Sequence, residues 1–95
     1  MITKDNNEKL FDEILSIIKM EVGNATHVPV DTISDSQDLR KYDIDSMGIM
    51  LIIGNIESDL TKYDPNFELG YDVIYKNYTP YNLAVYISDK IHKGN

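Results

Sequence analysis

Ninety-five residues suit a single domain, of a size that buries roughly 60–68% of the surface its unfolded chain exposes. Nine basic residues against sixteen acidic ones leave a net charge of −7, which excludes nucleic-acid phosphates as partners and favours basic docking surfaces. With no cysteine the fold has no disulfide, the composition fits a reducing compartment, and any thiol chemistry must come from an attached group.

The first seven residues lack the apolar centre of a signal peptide, and no apolar run is long enough to span a membrane, so a cytoplasmic protein is expected. Asp5 and Glu8 have the spacing of a capping box. Leu10, Phe11, Ile14, Ile17 and Ile18 then form an apolar stripe, and Gly23-Asn24 is a natural stop, which predicts a scaffold helix over 6–22. Residues 24–45 form a long connection holding Pro29 and many Asp, Ser and Thr residues. A connection of that length in a small domain is functional or held down by inward side chains, and Val28, Val30, Ile33, Leu39 and Tyr42 are the expected anchors. His27 reads as a surface loop residue rather than a ligand.

Next comes the stretch Tyr42-Asp43-Ile44-Asp45-Ser46-Met47-Gly48-Ile49, a polar loop running into an apolar segment. Large apolar residues fall at 49, 52, 53, 56 and 60, one face of a helix over 46–60. Asp45 is a good N-cap, which puts the Ser46 hydroxyl in the first turn, facing solvent beside backbone N–H groups without intrahelical partners. That place suits a covalently attached phosphate. If 49, 52, 53 and 56 face inward, Met47, Met50, Leu51 and Gly54 face outward, and an exposed apolar strip with two methionines marks a partner or cargo contact.

Asp64-Pro65-Asn66 is a turn. The segment after it has mixed periodicity interrupted by Gly70, and a short helix over 67–76 is expected, with Tyr71, Tyr75 and Tyr78 as core or rim. Thr79 then caps a last helix over 80–92, with Pro80 at its first position and Tyr78 stapled against Leu83. Leu83, Tyr86 or Ile87, and Ile91 supply its packed face, and Lys90, His92 and Lys93 complement its dipole.

Asp45-Ser46-Met47 followed by an apolar helix resembles the Asp-Ser-Leu signature of the acyl carrier protein family. Ile56-Glu57 stand where the family has Leu-Glu, Leu60 where a large apolar residue follows, Pro65 where a proline opens the next segment, and Thr79 where a threonine starts the last helix. Leu39 and Tyr42 fall about where the family buries loop residues. Met47 replaces the usual leucine at similar volume, and Asp43 replaces a glycine in a turn where aspartate tolerates left-handed backbone.

The resemblance implies an all-α, acyl-carrier-like four-helix bundle in a single domain over 1–95, with a long first loop and a short third helix. It implies that a phosphopantetheinyl transferase attaches 4′-phosphopantetheine from coenzyme A to Ser46, with Asp45 positioning the serine and the Mg²⁺ of that enzyme. The chain, expected to be monomeric and without catalysis of its own, would carry acyl or aminoacyl thioesters from a loading enzyme to downstream biosynthetic enzymes. Met47, Met50, Leu51 and Glu57 are the docking candidates, with Asp43 contributing. Fatty-acid carriers usually set several acids on this face, whereas here they begin only at Glu57 and Asp59. The cargo therefore stays open between fatty-acid, polyketide or related biosynthesis and a D-alanyl or peptidyl pathway; Tyr78-Thr79-Pro80-Tyr81-Asn82 resembles D-alanyl carriers.

Rival readings of the same residues are weaker. Asp35-Ser36 repeats the Asp-Ser pair but leads into Gln37-Asp38-Leu39-Arg40 rather than an apolar helix. A calcium loop starting at Asp43 needs oxygen ligands where Met47 and Gly54 stand. A hydrolase elbow needs a glycine where Ile44 stands, and neither His27 nor His92 has a group to orient it. An unmodified acidic helical docking module shares the fold and differs only in what Ser46 does.

Overall fold

A computed structural model describes residues 6–94, with side chains described from Glu8 to His92. The capping box of Asp5 with Glu8 and the side chain of Lys93 lie outside the described residues. Among the described residues four helices, α1 (Asn6–Thr26), α2 (Ser46–Leu60), α3 (Val73–Lys76) and α4 (Pro80–Gly94), are joined with two 3₁₀ turns, Val30–Thr32 and Leu39–Lys41, in the first connection. Among the described residues there is no strand.

One continuous core is built from the predicted stripes. α1 contributes Ile14, Ile17, Ile18 and Val22, α2 contributes Ile49, Ile52, Ile53, Ile56 and Leu60, and α4 contributes Leu83, Ala84, Ile87 and Ile91. On α4 it is Ile87 that is buried, and Tyr86 that faces out. α1 packs against both α2 and α4. Near its start Glu13 meets Lys62 and Tyr63 just beyond α2, and near its end Ala25 and Thr26 share a cleft with Gly48. α1 and α2 therefore run antiparallel.

α1 does not stop at Gly23-Asn24 but continues to Thr26. There the Thr26 hydroxyl donates to the Val22 carbonyl at 2.7 Å and accepts from the Val28 N–H at 3.4 Å. His27, at φ 61°, then turns the chain out of the helix, taking the left-handed position that a glycine more often fills. Gly23 serves packing instead. A Cβ on it would lie 3.0 Å from the Val28 carbonyl oxygen and 3.0 Å from the Val30 side chain, so its bareness lets the next turn fold back onto the helix. Val30 lies over Gly23 and stays 41% exposed, outside the core.

Ile33 and Leu39 do anchor the long connection, with Val28 and Tyr42 packed against the core edge. Backbone bonds then tie the loop to the start of α4: Leu39 N–H donates to the Tyr78 carbonyl at 2.7 Å, and Tyr81 N–H to the Asp35 carbonyl at 2.9 Å. The Asp35 carboxylate pairs with Lys19 of α1. Tyr78 sits at the surface with the Arg40 guanidinium 3.7 Å over its ring, a second bridge between loop and α4.

The third helix is shorter than expected, one turn over Val73–Lys76 instead of 67–76. The Asp64 carboxylate accepts from Asn66 N–H and its carbonyl from Phe67 N–H, both at 3.0 Å, which closes the predicted turn. Phe67 and Leu69, two residues apart, are both buried, a spacing that extended chain satisfies and a helix does not. Val73 and Ile74 fill the core, so Tyr71, Tyr75 and Tyr78 are left exposed. Thr79 caps α4 as expected, accepting from Asn82 N–H at 3.1 Å, with Pro80 buried at the first position.

One buried group was not visible in the apolar pattern. Glu21, only 6% exposed, faces Asp59 and Asn55 of α2 and Asn24 of its own helix. The Oδ2 atom of Asp59 is buried without a hydrogen-bond partner. Burial together with the Asp59 carboxylate raises the Glu21 pKa above its ordinary value, and a protonated Glu21 would offer Asp59 a donor. A folded-state pKa raised in this way contributes stability in full below the unfolded value, and that contribution is lost as pH rises through the folded value. Glu21→Gln keeps the hydrogen bonds and removes the ionisation. It is expected to raise the Tm at pH 7, with the gain vanishing towards pH 4. Thermal melts of both proteins across that pH range check this.

Candidate functional site

The first turn of α2 is set by its cap. Asp45 is extended (φ −79°, ψ 177°), and its carboxylate accepts from Gly48 N–H at 2.8 Å. Its carbonyl takes the first helical bond, from Ile49 N–H at 3.0 Å. The N–H groups of Ser46 and Met47 have no intrahelical acceptor, and the Ser46 side chain is exposed. Asp43 is also exposed, but its backbone is not left-handed, since His27 is the one non-glycine residue at positive φ among the described residues. Ile44 N–H reaches back to the Tyr42 carbonyl at 2.7 Å, so the turn at Asp43 is an inverse γ-turn, which aspartate enters without a glycine's freedom.

The outer face of α2 carries the predicted strip. Met47, Met50 and Leu51 are 71%, 49% and 56% exposed. Gly54 continues the strip, and a Cβ there would meet nothing within 4 Å. Ser46, Asp45, Met47 and Met50 thus gather at one end of the helix. Glu57 lies eleven positions beyond Ser46, about 16 Å along the axis, and is half-buried. Ser36 is exposed as well, but it sits in a turn whose Asp35 is occupied by Lys19 and by Tyr81 N–H.

Beside this end of α2 the structure opens a cleft of about 470 Å³, between the end of α1 and the loop that leads into α2. Its residues come from the end of α1, the turn after it and the run 41–48, and nothing in the sequence joins Ala25, Thr26 and Lys41 to the rest. Lys41 lies on its wall with Asp43 and Asp45. Next to Lys41, hydrogen bonds from Arg40 hold the Asp38 carboxyl down to about 2, so that acid stays charged at neutral pH. Among the described residues no three of His, Asp and Glu gather to hold a metal ion, and no helix is long and apolar enough to cross a membrane.

The element order, the capped second helix and the shared core define an acyl-carrier-like helical bundle. The family model for the phosphopantetheine attachment site matches residues 16–87, and the chain belongs to that family. It is a phosphopantetheine-carrying carrier protein: such domains are attachment sites for 4′-phosphopantetheine, work with phosphopantetheinyl transferases and biosynthetic enzymes, and are generally non-catalytic. Neither a search of curated proteins nor one of solved structures returns a match. Both Asp-Ser pairs fall inside the matched span, so it is their local structure that separates them.

The cap carries a measurable share of the site's stability. Asp45→Ala is expected to cost about 1 kcal/mol, with Asp45→Asn recovering most of it. Urea midpoints of the three unmodified proteins measure the difference.

Proposed function

We propose that Ser46 is the residue that carries the arm. The observation that supports this most is its exposed hydroxyl on the first turn of α2, beside two N–H groups without intrahelical acceptors, where a phosphodiester is favoured by the helix N-terminus. In the transfer, a bond forms between Ser46 Oγ and the phosphorus that bears the pantetheine, and the pyrophosphate bond of coenzyme A breaks. Adenosine 3′,5′-bisphosphate leaves, and the serine proton passes to a base of the transferase. Asp45 holds the turn in shape through Gly48 N–H, and its second carboxylate oxygen would be the one left to help position the serine and the enzyme's Mg²⁺. When attached, the arm supplies a thiol that holds an acyl or aminoacyl group as a thioester. The chain's own work is presentation, which raises the effective concentration of tethered cargo at a partner's active site.

Met47, Met50 and Leu51 are read as the docking strip, with Asp43 and the half-buried Glu57 as flanking charges. The leading assignment is a carrier of fatty-acid, polyketide or related biosynthesis. The apolar strip, in place of an acidic face, favours as a second reading a D-alanyl or peptidyl carrier. Loading separates them: one cargo class enters through an acyltransferase with acyl-coenzyme A, the other through an adenylating enzyme with free amino acids.

Incubation of the chain with coenzyme A, Mg²⁺ and a broad-specificity phosphopantetheinyl transferase is expected to add the mass of one phosphopantetheine. Ser36→Ala keeps the gain and Ser46→Ala loses it. No gain by a folded wild-type chain would return Ser46 to the role of a helix-start residue in an unmodified docking module.

Docking has its own test. Met50→Glu is expected to lower the turnover of a loading enzyme by on the order of tenfold, more than added salt does. Strong salt sensitivity with little effect of Met50→Glu would refute the apolar strip.

A further inference from the structure

We propose that the cleft between the end of α1 and the loop before α2 is the resting place of the neutral, pantothenoyl part of the arm, an inference that rests on attachment at Ser46. The cleft begins beside the serine: Asp45, just before it, and Gly48, two residues after it, both line it. An arm leaving Ser46 Oγ therefore starts at the rim of a space of about 470 Å³, within the range of roughly 300–1,000 Å³ typical of small-molecule sites.

The lining matches one part of that arm and mismatches others. Ala25, Val28 and Ile44 bring methyl groups, which suit the two geminal methyls that come directly after the phosphodiester. Tyr42 brings a polar group among them, suited to an adjoining hydroxyl and amides; the Thr26 proton is already given to the Val22 carbonyl, so that oxygen can only accept. Lys41 is the basic side chain on the wall, able to meet the phosphodiester, while Asp43 and Asp45 on the same side disfavour any second anion. The occupant is thus neutral beyond its first phosphate.

The walls are also held in place. The Thr26 hydroxyl is fixed between Val22 and Val28, His27 reverses the chain, and the loop on the far side is tied to α4 through Leu39. The cleft is open to solvent, so a free molecule would be held weakly. A covalent tether at the rim raises the effective concentration to the order of millimolar, and a weak site is then enough.

The test compares ¹⁵N–¹H and methyl spectra of the unmodified and phosphopantetheinylated full chain, with intact mass recorded on the same samples. The expected result is holo-specific shifts at Thr26, Val28 and Tyr42, in addition to those next to Ser46, and proximity signals from the arm's geminal methyls to Val28 and Ile44. Ala25→Phe fills the cleft from its α1 wall, and Lys41→Glu reverses its one cation while leaving the core alone. In each, with one arm attached, the remote shifts are expected to fall to about half or less. Shifts confined to the neighbourhood of Ser46 in a protein that carries the arm overturn the resting place alone, as do remote shifts of wild-type size in both variants. A wild-type chain that never gains the mass overturns the attachment at Ser46 and the resting place with it.

Discussion

Ile49, Ile52, Ile53, Ile56 and Leu60 on one face of α2 are removed from water, and their phase fixes what every other side chain of that helix can do. Full burial of such a residue stabilises by about 1.5–3 kcal/mol, so a turn of the helix by one position, roughly 100°, is prohibitive. With the inner face fixed, Met47, Met50 and Leu51 have only the solvent side left, and Ser46 stands clear of the core. Site and scaffold are two faces of one amphipathic helix.

The long connection adds the second constraint. Its fastenings run to α4 and α1 through Tyr78, Tyr81 and Lys19, and Asp45 then caps α2 from the loop side. The serine is thereby held from behind while its outer surroundings stay open. The cleft is a by-product of the same arrangement, framed by the prolonged end of α1 on one side and the tied loop on the other.

The parts legible in the sequence were those where a strong period met a clear start signal. α2 ran from Ser46 to Leu60 as read, because Asp45 before five apolar residues at helical spacing leaves little choice. Thr79-Pro80 fixed the start of α4 for the same reason. The end of α1 was misread because Gly23 carries a stop signal that packing overrides: the glycine is spent on a close approach by Val28 and Val30, and the left-handed step moves to His27. Glu21 stayed hidden because a carboxylate at a helical position reads as surface, and its partners, Asn55 and Asp59, are far away in sequence. Between Pro65 and Thr79 the mixed periodicity was itself the answer, an extended Phe67-Glu68-Leu69 before a single helical turn. The cleft drew on residues 25–48 with no spacing to connect them, so a three-dimensional arrangement alone reveals it.

Gly54 stands in the middle of the outer face of α2 with open space around it. A glycine inside a helix costs about 1 kcal/mol relative to alanine, and here that loss is not repaid by packing within the chain. What it leaves is a shallow notch, one helical turn from Met50 and Leu51, where the helix presents bare backbone. The outer face is therefore stepped rather than flat, raised at Met50 and Leu51 and low at Gly54.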